Sequence, residues 1–328
     1  MEKLKLTFVN VGYGEAILLE CPDASRPEGL FTMLIDGGGA DPAEFAGSDS
    51  GRLPLHEYLR AHGPGHLDLM VNTHPHEDHV SGLPPVAALL PPKELWQLLP
   101  PAFCRERMRT LDVTLARNLS QDKFLHALND CAALSRAAED AGGTVRTVEA
   151  GMRFELCPGL RCGVLAPTTE QLADLEERFT ALYEERGEES FLQKLNAIDA
   201  MLNNRSVILL LEYKGTRLLL PGDTNAAGFG GIERGELKAD LFKVGHHGQR
   251  DGADGTLLEA VKPSAVVCCA SSDQRYHSAE EHLMQLIADC GAKRWFSDCP
   301  PVAGETIPPH SALIFTIGAD GAIDAEYE

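Results

Sequence analysis

Thr73-His74-Pro75-His76-Glu77-Asp78-His79 places three imidazoles and two carboxylates in six consecutive positions, directly after the apolar run at residues 67–72. On an extended segment, side chains at i and i+2 share a face, so His74 and His76 can grip one cation together. Asp78 and His79 then open a helix or turn, from which they can reach a second cation a few ångströms away. Imidazole suits zinc, manganese or iron, and a carboxylate adds hard oxygen and negative charge. The chain has 12 histidines in 328 residues, so three in six positions is rare by chance. Gly82, just beyond, allows a close approach of backbone behind the cluster.

Two later stretches complete the pattern. Leu218-Leu219-Leu220-Pro221-Gly222-Asp223-Thr224 ends an apolar strand on a Gly-Asp turn. Alone such a turn is common, but beside the first cluster Asp223 becomes a candidate to bridge two cations. Lys243-Val244-Gly245-His246-His247-Gly248 also follows a buried strand. Neighbouring side chains on a strand point to opposite sides, so one of His246 and His247 is expected as a ligand. The other would then support the ligands or meet substrate. His277 precedes an expected helix at 279–290 and can point at the same site. Two cations roughly 3.5–4 Å apart lower the pKa of a shared water, so that hydroxide is available near pH 7. They also take up charge on a phosphoryl or acyl oxygen. Asp78 and Asp223 are therefore the candidate catalytic carboxylates. No Ser-His-Asp arrangement competes, and Asp36-Gly37-Gly38-Gly39 lacks the Lys-Ser/Thr of a phosphate-binding loop.

The bulk numbers narrow the classes. A net charge of -20 disfavours non-specific nucleic-acid binding over the whole surface. A local basic groove would have to come from Lys243, Arg205, Arg250 and Arg275, which lie near the site motifs in sequence. No basic, apolar and small-residue leader pattern opens the sequence, and no apolar run reaches the roughly 18–20 residues of a membrane helix. The nine cysteines lack CxxC spacing. They are read as reduced, mostly buried thiols of a cytoplasmic protein without a membrane partner.

Along the chain, strands are expected at 4–9, 16–20, 31–35 and 67–72, with a helix at 53–62. Residues 93–143 and 168–203 read as helical blocks, with strands at 145–148, 152–156 and 161–165 between them. The strand rhythm returns at 206–213, 217–220, 241–244, 265–270 and 312–317, with helices at 255–261 and 279–290. No linker divides the sequence, so 1–328 reads as a single domain with helical insertions.

These motifs, in this order, resemble the metallo-β-lactamase superfamily, and within it the soluble metal-hydrolase (nuclease) domain of ComEC-like proteins. The resemblance is carried by Val11-Gly12-Tyr13-Gly14-Glu15-Ala16, Leu34-Ile35-Asp36-Gly37-Gly38 and the stretch from Thr73 through Gly82-Leu83. It continues through Leu202-Asn203-Asn204-Arg205-Ser206, Pro221-Gly222-Asp223, Lys243 through Gly248, and Tyr276-His277. It implies an α/β fold, the αββα sandwich of two mixed sheets flanked by helices. It implies His74 and His76 on one metal, Asp78 and His79 on the other, and Asp223 between them. Many members carry a further histidine before the Gly-Asp strand, where this chain has Asn203-Asn204. On the resemblance, His246 or His247 then supplies the first metal's third imidazole and His277 completes the second. The chain departs from the branch at Glu15 (usually Asp), Gln249 (usually Ser), Tyr276 (usually Gly) and Ser278 (usually Pro).

The expected activity is hydrolysis of phosphodiesters, in nucleic acid or a small molecule, with two divalent ions, zinc first and manganese second. Asn204, Ser206 and Lys243 are the expected substrate contacts. The helical blocks would wall the substrate or meet a protein partner. Acyl-bond hydrolysis (lactone, thioester or β-lactam) and a non-catalytic, metal-stabilised partner-binding module are the alternatives.

Overall fold

The apolar run before the histidine cluster lies buried along its whole length as β4 (Leu67–Val71) in the computed structural model, which describes residues 3–328. Seven further strands join it in one sheet: β1 (Leu4–Val9), β2 (Ile17–Pro22), β3 (Leu30–Ile35), β5 (Pro92–Gln97), β6 (Thr144–Thr147), β14 (Ala312–Ile317) and β15 (Ile323–Tyr327). Their order is β15-β14-β1-β2-β3-β4-β5-β6. The second sheet holds β7 (Arg153–Cys157), β8 (Leu160–Ala166), β9 (Ile208–Tyr213), β10 (Thr216–Leu220), β11 (Leu241–Lys243), β12 (Ala265–Cys268) and β13 (Lys293–Phe296), in the order β13-β12-β11-β10-β9-β8-β7.

Each sheet changes character once. Pairing is antiparallel from β15 to β3 and parallel from β3 to β6. It is antiparallel from β7 to β10 and parallel from β10 to β13. The parallel strands read as unbroken apolar runs because both faces are covered. On β10, Leu218 and Leu220 enter the core between the sheets, while Leu219 packs outward with Phe242 of β11. The helices Gly255–Val261 and Glu281–Asp289 cover that outer face with Leu257, Leu258, Leu283 and Ile287. The helix Leu119–Asp140 covers the other sheet with Phe124, Leu125 and Leu128. The result is the expected αββα sandwich.

The block at 93–143 is not helical throughout. It opens with β5, where Leu95 and Trp96 pair in parallel with Met70 and Val71 and are buried. Their apolar content serves strand and helix equally, so periodicity alone does not separate the two. The later block resolves into two helices, Thr169–Glu184 and Glu188–Leu202. The short strand β13 and the edge strand β15 were not expected, although β15 alternates cleanly, with Ile323, Ala325 and Tyr327 packed on the core and Asp324 and Glu326 exposed.

Asp68 locks the start of β4. Its carboxylate accepts from the Thr32 N–H (2.9 Å), from Arg26 (2.6 Å) and from Lys93 (2.9 Å). Burial works against the charge, but Lys93, the Thr32 N–H and Arg26 outweigh it and hold the carboxyl below its usual range. A depressed carboxyl pKa stabilises the fold above the unfolded value of about 3.9, and that contribution is lost as pH falls through the folded value. Asp68→Asn should cost about 1–3 kcal/mol in urea unfolding at pH 7. The gap from the parent should narrow on acidification toward pH 3, and a pH-independent gap would rule out the ionised carboxylate as its source.

Candidate metal centre

The site residues arrive at the carboxyl ends of strands at the antiparallel-to-parallel junctions, where open α/β sheets place ligands. Asp36 follows β3, His74 to His79 follow β4, Asp223 follows β10, and His246 and His247 follow β11. Two glycines let these loops meet. A Cβ at Gly82 would stand 2.0 Å from Gly37 O, and one at Gly245 would stand 1.9 Å from Thr224 O. His246 and His247 both hold left-handed backbone, with φ of 48° and 49°. The turn sends His247 inward, fully buried, and leaves His246 on the wall of a cleft.

Asp78, His79, Asp223 and His247 bring donor atoms within 4.8 Å of one another. Asp223 Oδ2 is 3.3 Å from His79 Nε2 and 2.9 Å from His247 Nε2, and Asp78 Oδ2 is 3.0 Å from His247 Nε2. Although these distances are short, both Nε2 atoms are buried without a hydrogen-bond partner. The atoms aim at a shared point rather than at each other, which is the arrangement a cation requires. His74 Nε2 and His76 Nδ1 face each other at 3.0 Å beside this group.

The far side of each ring is held. His79 Nδ1 donates to Asp36 Oδ2 (2.7 Å), and His247 Nδ1 donates to Cys269 O (2.9 Å). Thr73 Oγ1 donates to Asp36 Oδ2 (2.6 Å), which leaves it to accept from His74 Nδ1 at 3.1 Å; Ser206 Oγ lies 3.2 Å from the same nitrogen. His76 Nε2 lies 3.1 Å from Asp199 Oδ1, close enough for ion pairing though not aligned as a hydrogen bond. Thr73 Oγ1 accepting from His74 Nδ1 leaves His74 Nε2 with its lone pair toward His76 Nδ1. With the Asp199 carboxylate drawing the His76 proton to Nε2, both rings would turn lone pairs into one gap. Two lone pairs 3.0 Å apart repel unless a proton or metal ion lies between them. The donors thus fit divalent metal ions.

Charge at the cluster follows from the same contacts. Burial, together with His79 and His76, drives His74 well below the usual imidazole range. Burial also opposes charge on His247, but Asp223 and Asp78 lift it to about 9, and Asp223 and Asp36 raise His79 against the same penalty. Lys243 is fully buried and contacts Glu15, Gly222 O (2.8 Å) and Asp223 Oδ1 (3.2 Å). Burial disfavours its charge, but Glu15 and Asp223 outweigh burial and keep the ammonium protonated.

Several expected positions move. His277 does not join the cluster. It is exposed and faces a different hollow, beside Gln274 and Glu280. Left-handed φ at Gln274, Tyr276, His277 and Ala279 turns Tyr276 toward the site instead. His247 stands with Asp78 and His79, not with His74 and His76. Ser206 and Lys243 are sealed from solvent behind His74 and Asp223, so neither faces the cleft, and Asn204 is half-buried beside it with its Oδ1 accepting from the Asn225 N–H (3.1 Å). Four supporting residues had no role assigned from sequence: Asp36, Glu15 and Tyr13, which lay in motifs that carry the resemblance, and Asp199, which gave no signal. The Tyr13 ring lies 4.4 Å from His247, and its hydroxyl accepts from Gln249 Nε2 (3.2 Å). Burial, then Asp78 and Asp223, keeps the phenol protonated.

The centre opens into a cleft of about 490 Å³. The helices Leu119–Asp140 and Glu188–Leu202 line it with Leu119, Lys123, Phe124 and Asp199, and Tyr13 and Tyr276 line it from other elements. Removing the charge with Asp199→Asn should weaken metal affinity by roughly 10–100-fold, the usual effect of losing a ligand's supporting partner. Titration calorimetry with manganese would test this, and an unchanged affinity would reduce Asp199 to wall lining.

An αββα sandwich with imidazole and carboxylate donors at the strand ends defines a metal-dependent hydrolase. The sequence points the same way: residues 28–101 match the family model of the metallo-β-lactamase superfamily. A 90-residue stretch is 30% identical to ComE operon protein 3 of Bacillus subtilis strain 168, covering 27% of this chain and 12% of that protein. Among solved structures, zinc-bound PqqB from Methylobacterium extorquens is similar at TM-score 0.45 and 11% identity, over 89% of this chain and 97% of that one. A metallo-β-lactamase from Cronobacter sakazakii is similar at TM-score 0.39 and 13% identity, over 87% and 88%. No helix among the described residues is long and apolar enough to cross a membrane.

Proposed function

We propose that the chain hydrolyses phosphodiester bonds with two divalent metal ions, zinc or manganese. The observation that carries this reading is the convergence of His79 Nε2, His247 Nε2, Asp78 and Asp223 on one point, beside the facing His74 and His76, at the floor of an open cleft. His74 and His76 would hold one ion, Asp78, His79 and His247 the other, and Asp223 would reach both. The ions would supply an activated water and charge neutralisation at the reacting oxygen. The donor set of four imidazoles and two carboxylates suits zinc and accepts manganese. The phosphodiester substrate is chosen because the site motifs resemble the ComEC-like branch, and a 90-residue stretch is 30% identical to ComE operon protein 3.

The chain's own groups have defined tasks. Lys243 anchors Asp223 Oδ1, which leaves Oδ2 turned toward the imidazoles. Tyr13 keeps its proton and can offer a hydrogen bond, without transferring the proton, to a phosphoryl oxygen. The basic groove expected for a long polynucleotide is not available: Lys243 is buried, Arg205 lies 3.7 Å from Asp174, and Arg275 pairs with Glu44 and Asp273. Arg250 is exposed but does not line the cleft.

The test is metal content of the purified chain, together with bis(p-nitrophenyl) phosphate hydrolysis under zinc and manganese, beside an Asp78→Ala/His79→Ala variant. About two ions per chain are expected, with turnover abolished in the variant. Turnover of lactones or thioesters but not phosphodiesters would overturn the substrate class, and failure to bind metal would overturn the site.

A further inference from the structure

The described chain leaves three large hydrophobic side chains exposed: Leu89 (37%), Leu119 (64%) and Tyr276 (51%). Two of the three, Leu119 and Tyr276, line the cleft above the metal donors. Isolated apolar side chains at the surface are ordinary, but two of the three exposed ones brought to the lining of one polar cleft mark what the cleft receives.

The aromatic lining continues inward. Tyr276 meets the ring of Tyr13 edge-on at 5.1 Å, and Tyr13 in turn packs on His247 at 4.4 Å. On the helix Leu119–Asp140, Phe124 is buried against His76 with ring centroids 5.7 Å apart, and Leu119, five residues earlier, is exposed in the same cleft. Tyr276 is held where it is by left-handed backbone, φ 52°, with three more such residues between 274 and 279. A non-glycine residue in that region costs energy and persists at functional sites.

The charges limit what else can enter. Among the described residues that line the cleft, Lys123 is the one Lys or Arg, and it is engaged by Glu77 at 2.9 Å. Glu77, Asp78, Asp199 and Asp223 line the same space. Divalent ions at the donor cluster would neutralise Asp78 and Asp223 and leave charge for one phosphodiester. The walls hold nothing to balance a run of further phosphates.

We infer that the cleft takes a compact phosphoester bearing one planar aromatic group, of which a nucleoside phosphate is an example, clamped between Tyr276 and Leu119. This rests on the phosphodiesterase reading and names the substrate class within it.

Calorimetry on the metal-loaded full chain tests the clamp without requiring turnover, with thymidine 5′-phosphate and methyl phosphate as probes. Thymidine 5′-phosphate should bind at least tenfold tighter, and Tyr276→Ala should erase most of that ratio while Tyr276→Phe keeps it, as expected for roughly 5–150-fold per stacked base. A 20-residue oligothymidylate should show a salt slope near that of a single phosphate contact, roughly -0.7. Equal affinity for the two small probes, or a ratio unchanged in Tyr276→Ala, would overturn the clamp. A slope of several contacts would overturn the limit to compact substrates. Hydrolysis of bis(p-nitrophenyl) phosphate, measured alongside, reports on the underlying reading separately. A chain that hydrolyses it without the clamp effect refutes only the clamp. A chain that shows the clamp effect without hydrolysis refutes only the phosphodiesterase reading.

Discussion

Asp223→Ala will lose most of its bound metal, and its phosphodiester turnover will fall by on the order of 10³-fold or more. Removing one preorganised electrostatic group from a reacting centre costs about 10²–10³, and Asp223 touches more than one partner. Its Oδ2 lies between His79 Nε2 and His247 Nε2, and its Oδ1 meets Lys243. Burial disfavours its charge, yet His247, His79 and Lys243 hold the carboxyl well below its usual range. Without it, the protonated Lys243 faces the same imidazoles with one counter-charge fewer, and a divalent ion enters a more positive pocket. Asp223→Asn keeps the shape and drops only the charge, so it should lose metal nearly as fully. Metal per chain after dialysis and kcat/KM for bis(p-nitrophenyl) phosphate measure both effects. Full metal occupancy with activity within tenfold of the parent would remove Asp223 from the centre.

The donor cluster could be read in the sequence wherever chemistry and chain neighbourhood coincide. His74, His76, Asp78 and His79 are contiguous, and Asp223 follows a strand and a glycine. The two sheets were legible because β4, β10, β11 and β12 are buried on both faces and read as apolar runs. What escaped depends on long-range pairing or on backbone conformation. Asp36 meets His79 across 43 positions, and Asp199 reaches His76 from an inserted helix. Asp199 does not stand out among 49 acidic residues, and the motif around Asp36 does not reveal its distant imidazole partner. His277 was drawn toward the site because its residue type suits a metal. The left-handed backbone at 274–279, invisible in residue types, gives the position to Tyr276 instead. Lys243 was read as a surface cation available to substrate, because a lysine's identity does not reveal a fully buried partner such as Glu15.

That buried pair carries the largest stability effect. Lys243→Met should cost the metal-free protein about 3–4 kcal/mol at pH 7. Glu15 and Lys243 have no exposed surface, and the lysine ammonium is in direct contact with the Glu15 carboxylate. Once the ammonium is gone, burial, which already pushes the Glu15 carboxyl upward, is no longer opposed by its contacting cation. Glu15 then takes a proton rather than remain charged. Protonating a carboxyl of ordinary pKa 4.5 at pH 7 costs about 1.4 kcal/mol for each of the 2.5 units between them. That figure also falls within the roughly 3–5 kcal/mol measured when buried ion pairs lose one partner. The sign with pH is fixed by the raised carboxyl. Its protonated form is free of this penalty below about pH 4.5, and the penalty grows as pH rises above it. The stability gap between Lys243→Met and the parent should therefore shrink as pH is lowered from 7 to 5, by less than about 1.4 kcal/mol per unit because the raised Glu15 carboxyl of the parent recovers part of the same penalty. Glu15→Gln/Lys243→Met removes the group that must be protonated and should recover most of the loss. Urea unfolding of metal-free protein at pH 7 and pH 5 separates the cases. A gap equal at both pH values would mean that the loss comes from packing around the missing side chain, and that Glu15 does not depend on Lys243 for its charge.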